Sequence, residues 1–169
     1  DLLIPAALQG QITEANAEKI AQQWYNNVKL NPRTPAYHTM PEEEAKRQAM
    51  YFFKHFGKLF FTDKPFEEAQ VLFSRFAAAR YGQRIPLSEV IYTLTLMRRH
   101  MWLFSSSQAV FITAVEHHQA AESQSRTILM FDYAIYIIAQ KYEELLKNEL
   151  EEKMKGLQIK SHLSFWNKG

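Results

Sequence analysis

Apolar residues recur along this chain at the three-and-four spacing of a helix face, and polar stretches marked by proline separate the runs. Ile20, Ala21, Trp24 and Val28 form the first stripe, which predicts a helix ending near Val28. Its start has two readings: Pro5 in a first turn, or Thr13 capping a fresh helix after Gly10. Residues 31–41 hold three prolines among polar side chains and read as a loop. Thr39-Met40-Pro41-Glu42 then supplies a cap, a proline near the first turn and an acid three residues on. That opens a second helix through about Phe60, with Ala45, Ala49, Phe53, Phe56 and Phe60 inward. Thr62-Asp63-Lys64-Pro65 repeats the signal and opens a third, with Ala69, Leu72, Phe73, Phe76 and Ala77 inward. Gly82 is expected at its left-handed C-terminal position, where glycine costs least.

After a tight turn over 83–86, Leu87, Val90, Ile91, Leu94, Met97 and Met101 stripe a fourth helix to about Phe104. Ser105-Ser106-Ser107 predicts a break or kink there, and a fifth helix over about Gln108–Gln119 carries Val110, Phe111, Ala114 and Val115. The last predicted helix is the longest, roughly 123–155, and Gly156 is expected to end it. Ile128, Phe131, Ile135, Ile138, Tyr142 and Leu145 alternate steps of three and four, a heptad-like seam. Leu146, Leu150 and Met154 then shift the seam by a stutter. Glu143/Lys147, Glu149/Lys153 and Glu151/Lys155 stand as pairs four apart in the favourable orientation, worth about 0.2–0.5 kcal/mol each. The expected organisation is an all-α chain of about six helices: a core over 1–122, a packing and signalling helix over 123–155, and an exit tail over 156–169.

Composition narrows the function classes. A chain of 169 residues suits one domain, and 12 Phe, 8 Tyr and 3 Trp are enough for a large aromatic core. The absence of Cys excludes disulfide scaffolds, thiolate metal sites and Cys nucleophiles. A net charge of +2 excludes a whole-surface nucleic-acid binder, and no run of 18 apolar residues is present to span a membrane. The longest apolar stretch, Ile128–Ala139, is interrupted by Asp132. The chain opens on Asp1, as an excised or processed polypeptide does, and shows no signal peptide; a cytoplasmic setting is expected.

Enzyme templates find no match: there is no nucleophile elbow, Gly-rich phosphate loop or His-Glu-x-x-His, and no His has Glu three residues before it. No catalytic residues are assigned. His117-His118 with Glu116 and Glu122 is the best metal cluster, but two ligands on one face do not make a site, and no metal is expected. Haem would need an axial ligand on an apolar wall. His55, with Gln48, Tyr51 and Lys58 as helix neighbours, reads as water-facing, whereas His100 has Leu96, Met97, Leu103 and Phe104 beside it and is the candidate ligand. The expectation is no cofactor, with haem at His100 as the alternative.

The segment 75–100 is distinctive. Arg75, Arg80, Arg84, Arg98 and Arg99 face the single acid Glu89, so 5 − 1 gives +4. Such a patch suits an anionic ligand, a protein partner or DNA. The DNA reading is weak because a recognition helix reads bases with its N-terminal residues, here Leu87-Ser88-Glu89-Val90. A purely structural reading has Arg80 or Arg84 pairing with Glu89 and Arg98-Arg99 capping carbonyls. If the aromatic core contains a ligand pocket, Trp24, Phe76, Arg80, Tyr92 and Arg98 are its expected lining.

Ala79-Arg80-Tyr81-Gly82-Gln83-Arg84-Ile85-Pro86-Leu87-Ser88-Glu89-Val90, followed by Leu94-Thr95-Leu96-Met97-Arg98-Arg99, resembles a segment of the N-terminal sensor domain of stressosome co-antagonists of the RsbR/RsbRD kind. Ile20–Val28, with its Trp24, resembles that family's opening helix, and the likeness covers about Leu8–Phe104. The family spacing is usually Gly-x-Pro, whereas two extra residues separate Gly82 from Pro86 here. The resemblance implies a non-catalytic, globin-like bacterial sensory domain that usually lacks haem, dimerises through helices and signals through a C-terminal helix to an output module or protein partner absent from this chain. On that reading Phe131, Ile135, Ile138, Tyr142 and Leu145 are the expected homodimer seam, and the stutter over 145–150 is a bistable point at which a ligand shifts the paired helices.

Overall fold

The computed structural model describes residues 14–59, 62–108 and 114–166. Among them all regular structure is helical: α1 (Glu14–Leu30), a short 3-10 turn (Pro35–Tyr37), α2 (Glu42–Leu59), α3 (Pro65–Gly82), α4 (Leu87–Gln108) and α5 (Ala114–Trp166). The predicted start of the first helix at Pro5 or Thr13, the inward Phe60, and Val110 and Phe111 of the predicted fifth helix lie outside the described residues.

The helices close into a ring. α1 packs on α2 and α4, α2 on α3, and α5 sits between α3 and α4. The predicted stripes fill its centre: Ile20, Trp24, Val28, Ala49, Phe53, Phe56, Phe73, Val90 and Met97 are all buried. The innermost contacts are aromatic. Phe56 and Phe52 stack on one another at 5.2 Å, and the Phe131 ring of α5 approaches Phe56 at 5.0 Å and Phe52 at 5.6 Å. Burying rings of this size supplies most of the driving force for the bundle.

Three predicted boundaries are corrected. Ser105-Ser106-Ser107 does not break α4, which runs on to Gln108. Three serines near a C-terminus cost only propensity, and the packed stripe ahead of them holds the helix. From Ala114 onward the predicted fifth and sixth helices are one, with Ser123 inside α5. Ser123 is buried inside the helix, and its backbone carbonyl accepts the Thr127 hydroxyl at 2.8 Å. Nor does Gly156 end α5 or begin a tail; the helix continues to Trp166.

Gly82 is the last residue of α3, not its left-handed terminator. That conformation falls on Arg84, at φ 60°. The Arg84 N–H donates to Tyr81 O at 2.9 Å and the Ile85 N–H to Arg80 O at 3.1 Å, which closes the last turn of α3.

The predicted seam of the last helix splits. Phe131, Ile138 and Tyr142 are buried in the chain's own bundle, which leaves them no face for a second copy. Ile135 and Leu145 are half-buried, and Ile128 is exposed. Past Tyr142 the helix leaves the core: over 143–157 every residue is exposed except the half-buried Leu145 and Glu149. The stretch from Tyr142 to the end of α5 is about 36 Å long at the rise of an α-helix. Among the described residues no helix is long and apolar enough to cross a membrane.

Candidate functional site: a buried arginine and the turn beside it

Arg80 continues the buried stripe of α3, one turn beyond Ala77, and is 4 % exposed. A guanidinium taken out of water must be held by hydrogen bonds or by counter-charge. Here Nη1 donates to Gln83 Oε1 at 2.8 Å and Nη2 donates to Gln48 Oε1 of α2. Both glutamines turn their amide N–H groups to one carboxylate oxygen: Gln48 Nε2 donates to Glu44 Oε1 at 2.9 Å and Gln83 Nε2 to the same atom at 3.5 Å. Two amides therefore relay a buried cation to an acid nearer the surface. The guanidinium also lies over the Phe76 ring, 4.7 Å from its centroid. Its Nε has no partner among the described residues. Burial pulls the Arg80 pKa down from its ordinary value.

Beside Arg80 lies a small cavity of about 20 Å³, lined by Trp24, Tyr37, Gln48, Phe76 and Thr93 among others. That is room for a water or for a comparably small group. The indole of Trp24 donates to Thr93 O at 3.0 Å and fixes α1 against α4. The Thr93 hydroxyl approaches Tyr37 Oη at 3.3 Å and donates to Val90 O at 2.9 Å. Burial pushes the Tyr37 phenol pKa up.

Of the five side chains expected to line a pocket, Trp24, Phe76 and Arg80 meet at this cavity. Tyr92 and Arg98 do not. The Tyr92 ring lies under Arg33 at 5.8 Å, and its neighbour Thr93 takes the inward position. Arg98 lies 3.8 Å from Asp132 and 5.9 Å from the Phe131 ring centroid, bracing α4 against α5. Neither Arg80 nor Arg84 pairs with Glu89. Glu89 is buried and accepts the Ala36 N–H at 2.8 Å, tying the 3-10 turn to the first turn of α4. Sequence reasoning missed Tyr37, Gln48, Thr93 and Glu44. The usable signal was the stripe itself: a polar residue on it, as Thr93 is between Val90 and Met97, points inward.

The turn after Arg80 holds the base of the projecting helix. Tyr81 Oη donates to Glu149 Oε2, Arg84 Nη1 to the same oxygen at 3.1 Å, and Lys153 Nζ to Glu149 Oε1 at 2.8 Å. These donors, Lys153 first, hold the Glu149 carboxyl at about 2. Tyr142 Oη donates to Ile85 O at 3.0 Å, and its ring meets Tyr81 edge-on at 5.4 Å. Burial pushes the Tyr142 phenol up to about 12. Of the three expected pairs along α5, Glu149/Lys153 is formed among the described contacts, while Lys147 turns to Glu151 at 4.0 Å.

His100 sits elsewhere, at a broad groove shared with Gln23, Asn26, Asn27, Leu103 and Phe104. Its Nε2 is buried without a partner among the described residues, and burial lowers its pKa. Three carboxamides line the groove, whereas Leu96 and Met97, expected beside His100, turn into the core. His118 is exposed, 3.6 Å from Glu122, and no group of three metal-ligating side chains occurs among the described residues. The side chains of Glu116 and His117 lie outside them. No protein-family model, no curated protein and no solved structure matches this chain.

Proposed function

We propose that this chain is a non-catalytic sensory or regulatory module of the globin-like kind its motif resembles. It pairs with a copy of itself through the projecting half of α5 and passes changes in its bundle along that helix to an output module or protein partner in the bacterial cytoplasm. The observation that carries the reading is the apolar stripe outside the core. Leu146, Leu150, Met154 and Leu157 are each more than half exposed (52, 52, 62 and 66 %) and follow one another at steps of four, four and three. Charged residues flank them, including Lys147, Glu151 and Lys155, the pattern of a helix that pairs in water. The seam therefore moves outward from Phe131–Leu145 to Leu146–Leu157.

Sedimentation velocity tests it. The expected result is a dimer that becomes monomeric in a Leu146→Lys/Leu150→Lys variant with the thermal midpoint of the bundle unchanged. A wild-type chain that sediments as a monomer, or a variant that stays dimeric, overturns the assignment.

A further inference from the structure

Arg80 is a permanent positive charge that no carboxylate among the described residues touches. Its Nη1 and Nη2 are met by neutral amide oxygens, its Nε by nothing among the described residues, and Glu44 stands one amide away. The adjoining cavity has no acidic residue in its lining, while Thr93, Tyr37 and the Gln48 amide supply polar groups there. A buried guanidinium of this kind is stabilised by an anion more than by water, because desolvation strengthens the attraction. We infer that the Arg80 cavity is a binding site for the carboxylate of a one- or two-carbon acid, the size of formate or acetate.

Size and shape choose that class. The free space of about 20 Å³ holds about one water, so a carboxylate enters only by taking the place of the Gln48 amide at Arg80, and the smallest acids ask least of the remaining walls. The guanidinium presents parallel N–H groups in one plane, which match the two oxygens of a carboxylate and not a spherical ion. The carboxylate takes Nε–H together with an Nη2 N–H, the nitrogen that Gln48 now occupies. A methyl group then meets the apolar wall formed by Trp24, Phe76 and Met97.

Occupation has a consequence at a distance. A carboxylate on Nη2 displaces Gln48, and Gln48 is one of the two amides that hold Glu44. Glu44 is then left to Gln83, in the turn whose Arg84 and Tyr81 grip Glu149 on α5. This link to α5 rests on the sensory reading above, whereas the site itself does not.

The test uses the indole N–H signal of Trp24 in the nitrogen-labelled protein, identified by its loss in Trp24→Phe. Sodium formate and sodium acetate are titrated against sodium chloride at equal ionic strength. The expected result is a saturable shift with the acids and none with chloride. Gln48→Glu should fold as wild type and lose the shift, because its own carboxylate sits on Arg80; Arg80→Lys, which lacks the fork, should bind at least tenfold more weakly. No saturable shift with either acid, an equal shift with chloride, or an undiminished shift in Gln48→Glu overturns the site. Sedimentation of the same samples separates the two readings. A dimer fraction that moves with formate supports the link to α5, and one that stays fixed while the Trp24 signal shifts overturns the link and leaves the site. A chain that is monomeric throughout overturns the sensory reading alone.

Discussion

The two parts of α5 on either side of Tyr142 are similarly supplied with large apolar residues, but only the first has a face of them buried. Before Tyr142, Met130, Phe131, Ala134, Ile137 and Ile138 vanish into the ring of helices. After it, Leu146, Leu150, Met154 and Leu157 stand in water. One backbone continues through both, so the difference lies in the neighbours. α3 and α4 flank the first part, while the second is met by side chains of the Tyr81–Ile85 turn alone among the contacts described above. Hydrophobic spacing along a helix therefore marks a face, and only the packing of the other helices decides whether this chain buries it.

The sharpest way to break this comparison is to truncate one residue in each part. Phe131→Ala should cost about 3–5 kcal/mol of stability in urea, since the ring is fully buried among Phe52 and Phe56. Leu150→Ala should cost less than about 0.5 kcal/mol when measured on the monomer. Comparable losses would mean that the second part also packs into the bundle. Tyr142→Phe, at the border, removes the donor to Ile85 O and should cost about 1 kcal/mol. A neutral result would show that the border lies further toward the N-terminus.

Arg84 separates backbone strain from pairing. Arg84→Ala keeps the φ of 60° and loses the Glu149 contact, whereas Arg84→Gly loses the contact and relieves the backbone. The glycine variant should be the more stable of the two by about 1 kcal/mol in thermal unfolding. Equal stabilities would mean that the turn relaxes elsewhere. The smallest effect concerns acid. Glu149 has a folded pKa of about 2 against an ordinary value of 4.5. The carboxyl is depressed, so its grip is complete above 4.5 and is lost as pH falls from there through about 2. Hydrogen exchange over 143–157 should accelerate across that window, after correction for intrinsic rates, while exchange at the core positions of 130–138 holds. Glu149→Gln should remove the pH dependence.

Helix count and core were largely readable because periodicity is a local property. The stripes through Trp24, Phe53, Phe73 and Leu94 needed only spacing. The joins were read less well. Ser105–Ser107 and Gly156 are weak helix formers whose cost is small beside the continuity of a long helix, so they failed as stops. Gly82 failed as the left-handed residue because the bonds that close α3 select the position two residues later. Arg80 was visible as part of a basic segment, yet its relay was not: Gln48 and Glu44 lie on α2, and only the packing of α2 against α3 brings them to it. The stripe through Phe131, Ile138 and Tyr142 was legible as a pattern, but spacing alone did not say that this chain's own helices bury it.

The closure of the ring by α5 carries a consequence for synthesis. α3 and α4 are consecutive in the chain, but the element wedged between them is made after both. Until residues through Tyr142 have left the ribosome, Phe52 and Phe56 have no Phe131 to cover them. The nascent chain must therefore carry an open, aromatic-faced groove until α5 emerges, a surface that invites aggregation and holdase chaperones. Completion of this bundle waits on its final helix, and a ribosome stalled before that point presents a sticky half-ring.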